Sequence, residues 1–352
     1  MRKKKIVLNG FICLIFLLIF SIFFLVAPSL EAKTITLRYA SYNPPRGMGA
    51  QTAIWLMNEV TKRTNGKVKF QQYFAGSLLK ARELLRGIQK GTADVGYIFV
   101  PYYPKELKLL TVAEPFLLGP VHPKEKAAFF WELYKKSPEL KAELAKWNQK
   151  LVAIRVFGKH SVGGPVPLKS LADLKGRKVR CAGGYDAQHM SALGAKIVFL
   201  RGTEVYSAMQ KGAIDANYTP VTSYYKYKLY EIGKHHHLLV IPQFIGSIGI
   251  ITINLDTWKK LSPDIKKIIS DVGKEYSKIE ADKIIALEKE YKEKMKAKGC
   301  EIIEISKDEV KKWASICEEA SKSKWLKRAQ KEGVKGKELM ERSSKLIKKY
   351  YD

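Results

Sequence analysis

Between residues 34 and 100 the chain alternates apolar and polar positions, shifts to a spacing of three and four, and then repeats the change. Thr34–Ser41 (TITLRYAS) alternates as a half-buried strand does. A Pro/Gly loop, Asn43–Gly49, leads into helical spacing over Gln51–Thr64. There Ile54, Met57 and Val60 share a face with Trp55 and Leu56, and Asn65-Gly66 supplies the C-cap. Lys67–Tyr73 reads as a second strand, Ser77–Lys90 as a helix stopped by Gly91, and Ala93–Val100 as a third strand. Strands joined by crossovers of helical length predict a largely parallel sheet with covering helices.

The middle of the chain repeats this style. Strands are predicted at Leu151–Phe157, Lys178–Ala182, Lys196–Leu200 and Ala213–Asn217. Helices are predicted at Tyr185–Leu193, at Thr203–Lys211 with Thr203 as N-cap, and at Ser223–Tyr230. This makes a second α/β unit over about Phe157–Ile245. Beyond strand Gly249–Leu255, Ser262-Pro263 opens one long helix. Its apolar positions (Ile265, Ile269, Val272, Tyr276, Ile284) recur at helical spacing until Gly299 ends it. Cys300–Ser306 is a strand, and Lys307–Ala320 and Lys337–Tyr351 are amphipathic helices. The fold class is therefore α/β.

One apolar run stands apart from the rest. Arg2–Lys5 is basic, Phe11–Val26 is almost wholly apolar, and Ala27, Pro28, Ser29 and Ala32 follow. That is the layout of a signal peptide over residues 1–32 and of export to the periplasm, with an uncleaved anchor as the other reading. Cys13 has no small-residue lipoprotein box before it. Cleavage after Ala32 leaves Cys181, Cys300 and Cys317, of which Cys300 and Cys317 form the one pair considered for a bridge.

The 352 residues carry 63 Lys+Arg against 34 Asp+Glu, a net charge of +29, or +26 without residues 1–32. The excess suits an anionic ligand or surface, but it is spread along the chain as on a solvated lysine face, and an exported protein meets little nucleic acid. No nucleic-acid partner is expected. At 46% hydrophobic the chain is too apolar to be disordered.

Catalytic signatures are missing: there is no HExxH, GxSxG, GxGxxG or phosphate loop. The triplet His235–His237 does not converge on one ion unless the backbone bends, so no metal or cofactor is expected. Two segments hold candidate chemistry. In Leu171–Gly184 (LADLKGRKVRCAGG) a strand ends with Arg180 before two glycines, where a guanidinium either grips a carboxylate through two parallel bonds or caps a sheet edge. In Thr203–Pro220, Asn217, Tyr218 and Thr219 fall at the carboxyl end of a short strand, where α/β folds bind ligands. The alternative there is a local Asn turn.

Six segments in order resemble the C4-dicarboxylate-type solute-binding proteins of tripartite ATP-independent periplasmic (TRAP) transporters. They are Trp55–Tyr73, Gly76–Gly96, Glu114–Leu118 (EPFLL), Asp173–Arg180 (DLKGRKVR), Glu204–Asp215 and Trp258–Ile269. The resemblance implies a two-lobed periplasmic binding protein fold with an interlobe ligand cleft and a long helix spanning both lobes. Lobe I would take residues 33–157 plus about 247–283, and lobe II 158–246 plus about 284–352. It implies capture of a small organic acid and delivery to membrane permease subunits, with no enzymatic activity and a monomer as the expected state. Arg180 stands at the family's carboxylate-binding position. The family's second Arg, in a Gly-x-Arg turn, is replaced here in Phe157–Ser161 (FGKHS) by His160, which would donate one bond or carry charge if its pKa were raised. Where the family has Asn, Thr219 stands. Tyr42, Asn43, Tyr97 and Phe99, at the ends of the first and third strands, complete the expected site. The readings set beside this one are the binding protein of an ATP-driven importer, a ligand-sensing subunit for a membrane receptor, and a secreted enzyme.

Overall fold

The computed structural model describes residues 34–233, 236–331 and 336–351. The expected signal peptide, Cys13 and His235 lie outside the described residues. Eleven strands form two sheets among them. The first sheet takes β1 (Ile35–Ala40), β2 (Val68–Tyr73), β3 (Val95–Phe99), β4 (Gln149–Arg155) and β10 (Gly249–Asn254), in the order β2-β1-β3-β10-β4. The second takes β5 (His160–Gly164), β6 (Lys178–Cys181), β7 (Lys196–Phe199), β8 (Ala216–Pro220), β9 (His236–Ile241) and β11 (Cys300–Glu304), in the order β11-β9-β5-β8-β6-β7. Each sheet has its own apolar cluster, and together they make the two lobes of an α/β binding-protein fold.

The parallel expectation holds for β1 with β3 and for β6 with β7 and β8. It fails for β10, which enters antiparallel between β3 and β4, and for β5, antiparallel to β8 and β9. Both exceptions follow from the chain passing between lobes. Residues 156–159 lead from β4 into β5, and residues 242–248 lead from β9 back into β10. A strand that returns from the other lobe needs no helical crossover, so it is free to run antiparallel.

The helices are α1 (Met48–Arg63), α2 (Leu84–Gln89), α3 (Pro123–Lys136), α4 (Pro138–Lys146), α5 (Gly184–Ala192), α6 (Val205–Gln210), α7 (Val221–Lys226), α8 (Leu255–Lys260), α9 (Pro263–Lys296), α10 (Lys307–Gln330) and α11 (Gly336–Lys349). Proline at N1 pre-sets the start of α9, and Gly299, at φ +83°, turns the chain out after it. In 34 residues α9 packs on β4, α1 and α3 of the first lobe and then on α7 and β11 of the second. It therefore ties the lobes together as expected from its length.

Its contact face is not purely apolar. Val272, Tyr276, Glu280, Ile284 and Glu288 follow one another every four residues, and all are buried. Glu288 accepts a hydrogen bond from the Lys159 backbone N–H at 3.0 Å, and Lys126 of α3 donates to the Phe157 carbonyl at 3.0 Å. Two buried side chains of opposite charge thus fix the first interlobe segment. Burial pushes the Lys126 ammonium down to about 7, against the pull of Glu288.

The C-terminal helices divide between the lobes. The first half of α10 packs on α5 through Trp313, whose indole donates to the His189 carbonyl at 2.9 Å. Trp325 and the Leu339, Leu346 and Ile347 face of α11 join the first lobe's cluster, and α11 lies on α3. These contacts weigh against counting all of 284–352 with the second lobe; the amphipathic pattern of α11 says that it covers an apolar surface, not which one. Cys181, Cys300 and Cys317 are buried free thiols, so the Cys300–Cys317 bridge is not formed.

Helix α9 meets β4 at Gly273. A Cβ there would strike the Val152 carbonyl oxygen, which is backbone and cannot swing away. Gly273→Ala is expected to cost about 1–3 kcal/mol of stability by overpacking, although alanine is the better helix former by about 1 kcal/mol. Denaturant melts check this; an unchanged or raised midpoint would show that the helix does not sit so close to the sheet.

Candidate functional site

A cavity of about 380 Å³ opens where the carboxyl ends of β3, β4, β6 and β8 approach one another. Register explains the first-lobe side. Gly249 of β10 pairs with Phe99 on one flank and Arg155 on the other, which sets those two level with each other across β10. A Cβ on Gly249 would run into the Tyr97 ring, so glycine is what lets Tyr97 lie across the strand. Tyr42 and Asn43, just after β1, complete this side, and Asn43 is fixed by its N–H to Ser41 Oγ at 3.2 Å.

Arg180, at the end of β6, forms the centre of the second-lobe side. It is 3% exposed yet lines the cavity. Its Nε and Nη2 donate to the Leu200 carbonyl at 3.0 and 2.7 Å, and Nη1 donates to Asn217 Oδ1 at 3.4 Å. A guanidinium has five N–H donors. Leu200 and Asn217 take three, which leaves one on each terminal nitrogen. One free donor on each terminal nitrogen is the number that a two-point grip on a carboxylate needs.

The second-lobe residues named from the sequence are all close to Arg180, but their roles differ. The strand expected at Ala213–Asn217 is shifted to Ala216–Pro220, so Asn217, Tyr218 and Thr219 lie inside β8 rather than in a loop after it. The Gly212 turn and the 213–215 connection take up the difference. Tyr218 and Thr219 line the cavity. Asn217 is fully buried behind Arg180 and orients it rather than facing the cavity.

His160 is likewise the first residue of β5, not part of a turn, and is 5% exposed. Its ring packs on Tyr218 at 4.7 Å between centroids, and Nε2 lies 3.9 Å from Asp186. Burial, and secondarily Lys126, push the imidazole well below its ordinary range. It is therefore neutral, and the charged alternative weighed from sequence does not apply.

Sequence reasoning missed four charged residues on the lining, Arg46, Arg155, Asp186 and Lys226, and with them Glu280 behind Arg155. Arg155 lines the cavity, stacked at 5.6 Å over both Tyr97 and Phe157. Its Nε lies 3.1 Å from Glu280 Oε2, and Glu280 is fully buried. Burial opposes the Arg155 charge, but Glu280 and the neighbouring tyrosines more than offset it and its pKa is raised. Gly49 of α1 makes room for this guanidinium, since a Cβ there would overlap Nη1. The signal was present: a carboxylate at a core position of α9 needs a buried cation, and Arg155 ends the apolar strand that α9 covers. Asp186, in the first turn of α5, is held at about 7 by burial against the pull of Arg180.

The two described histidines of the triplet each have a partner of their own. His236 Nδ1 faces the Ile232 carbonyl at 3.1 Å and its Nε2 pairs with the Tyr224 hydroxyl, while His237 Nε2 faces Glu301 at 3.3 Å. Among the described residues no group of three or more His, Cys, Asp and Glu side chains is placed to hold a metal ion. None of their helices is long and apolar enough to cross a membrane.

Comparison with known proteins bears on the family and the fold. Residues 40–329 match the model of the DctP family, described as bacterial extracellular solute-binding protein, family 7. A monocarboxylate 2-oxoacid-binding periplasmic protein of Nostoc is 27% identical over 271 residues, 74% of this chain and 70% of its own. Among solved structures, a TRAP periplasmic solute-binding protein of Desulfovibrio salexigens superposes with a TM-score of 0.76 at 25% identity, covering 90% of this chain and 96% of that one. A marine metagenome TRAP solute-binding protein in complex with metahydroxyphenylacetate gives 0.78 at 21% identity, covering 90% and 100%, and adds to the evidence for the fold. The chain belongs to the DctP family of extracellular solute-binding proteins, the binding proteins of TRAP transporters.

Proposed function

We propose that this protein captures a small organic acid between its lobes, holds the carboxylate on Arg180, and delivers it to a TRAP-type membrane transporter. The observation that carries this is the pair of unused N–H donors on a guanidinium that is itself buried in the cavity wall. In low dielectric such a charge-assisted pair is strong and orients its partner. The Nostoc relative, named for a monocarboxylate, supports the same chemistry.

In this reading Tyr42, Asn43, Tyr97 and Phe99 of lobe I meet Arg180, His160, Tyr218 and Thr219 of lobe II across the ligand, with Asn217 steadying Arg180. Lobe I comprises 34–157, about 247–283 and the last helix; lobe II comprises 158–246 and most of the rest. Segments 156–159 and 242–248 act as the hinge, and closure removes water from the carboxylate. The protein turns nothing over, works in the periplasm after loss of residues 1–32, and acts as a monomer that docks on permease subunits.

Two measurements test this reading. Arg180→Ala would leave a bound carboxylate without its partner and is expected to cost about 3–5 kcal/mol, a loss of a few hundredfold or more in affinity. Arg180→Lys should fall between, since it keeps the charge and loses the two-point grip. Calorimetry with a panel of 2-oxoacids and aromatic acids reads both, and wild-type affinity in Arg180→Ala would refute the clamp.

Asp186 adds a pH dependence. It faces Arg180, the neutral His160 and, across the lobes, Glu114, whose burial pushes its pKa well up. Below pH 7 Asp186 is protonated; above it, its carboxylate competes with the ligand for Arg180. Monocarboxylate affinity is expected to fall several-fold from pH 6 to pH 8 in the wild type and to stay level in Asp186→Asn. Wild-type affinity that rises over that interval would sink the assignment.

A further inference from the structure

We propose that the acid held at Arg180 is an aromatic monocarboxylate, a benzoate or arylacetate, whose ring lies against a wall of rings on the first lobe. This rests on the carboxylate reading of Arg180 above and narrows the ligand.

The wall is one continuous chain of side chains. Tyr97 contacts Tyr42 at 5.8 Å between centroids, Tyr42 contacts Tyr102 at 5.8 Å, Tyr102 contacts Phe99 at 5.0 Å, and Phe99 contacts Phe157 at 5.6 Å. All five line the cavity, and their mutual contacts are tilted or edge-on rather than stacked. An aromatic guest gains from such a surface because a negative ring face meets a positive ring edge.

The charges are distributed to match. On the wall itself the cation is Arg155, which lies over Tyr97 and Phe157 and is already paired with Glu280. Of the other cations on the lining, Arg46 is exposed to solvent, where an ion pair is worth little. Lys226 has an exposed stem but an ammonium whose pKa is pushed down by burial and by Arg155, which weakens it as a partner. A second carboxylate on the ligand would therefore sit against negative ring faces without a buried partner. A polyhydroxylated acid fares no better. Each buried hydroxyl needs its own partner, and beside the tyrosine hydroxyls the first-lobe side offers little more than Asn43 and Ser247. The small polar groups near the carboxylate end, Thr219 and His160 among them, lie on the Arg180 side. The cavity thus has one polar end and one flat apolar end. Its volume of about 380 Å³ lies toward the small end of the range for ligand sites.

The experiment is calorimetry on the mature chain, freed of bound ligand by unfolding and refolding, with benzoate, phenylacetate, cyclohexanecarboxylate, succinate and gluconate as probes. Cyclohexanecarboxylate has the size and charge of benzoate but no π-face, so the comparison isolates the ring. The better of the two aromatic acids should bind about tenfold more tightly than cyclohexanecarboxylate, and succinate and gluconate more weakly still. Phe99→Leu and Tyr42→Leu should each weaken the aromatic acid more than cyclohexanecarboxylate and so shrink the preference, with thermal melts by circular dichroism showing that the variants fold. Equal binding of the saturated ring, or tighter binding of succinate or gluconate, with either still lost in Arg180→Ala, overturns the aromatic assignment and leaves the carboxylate reading standing. Failure of every acid to bind, or binding that survives in Arg180→Ala, overturns both.

Discussion

A guanidinium removed from water is costly unless its donors are occupied, and the second lobe is arranged around that constraint. Leu200, where the chain leaves β7, turns its carbonyl toward Arg180, and Asn217 of β8 offers its side-chain oxygen from behind. Both are in place because β6 lies between β7 and β8, so the two neighbouring strands reach the same side chain. What remains unfilled is one donor on each terminal nitrogen, facing a cavity. The scaffold satisfies Arg180 far enough to bury it, and in the proposed reading the ligand's carboxylate takes the two donors that remain.

The first lobe solves a related problem differently. Arg155 is also buried against the cavity, but its charge is answered from within the protein by Glu280 on the long helix. Helix α9 is thus more than a strut. Its carboxylates at 280 and 288 reach, in turn, the strand that ends at the site and the segment that crosses between lobes. Lys126 grips the same crossing from the other side. The close seating of the helix on β4 at Gly273 is what brings those carboxylates within reach.

These two arginines give the cavity its asymmetry. One is open for an anion, and the other is neutralised and packed among rings. Asp186 lies near the open one, and desolvation pushes its carboxyl up to about 7 against the pull of Arg180. Rings from β1, β3 and the segments after them close the opposite side. A ligand that is charged at one end and flat and apolar at the other matches both ends at once.

The amino-acid pattern alone set out most of the elements: the β-α-β start, the long helix from Pro263, the glycine that ends it, and Arg180 at a strand terminus before two glycines. These are local facts, governed by period, capping and turn chemistry, and adjacent residues suffice to encode them. The pattern did not place β5 and β9, since HSVGG and the residues after the histidine triplet carry too little alternation to signal a strand. Nor could it tell that Asn217 faces Arg180 while Tyr218 faces the cavity, because which face each residue takes depends on the pairing register of β8, and a slip of one residue exchanges them. Arg155 with Glu280, the ring-to-ring chain from Tyr97 to Phe157, and the lobe on which the last helix lies were decided by the tertiary structure. Each depends on which strand enters between which others, and that is settled by long-range pairing of backbone and burial of charge, which neighbouring residues do not encode.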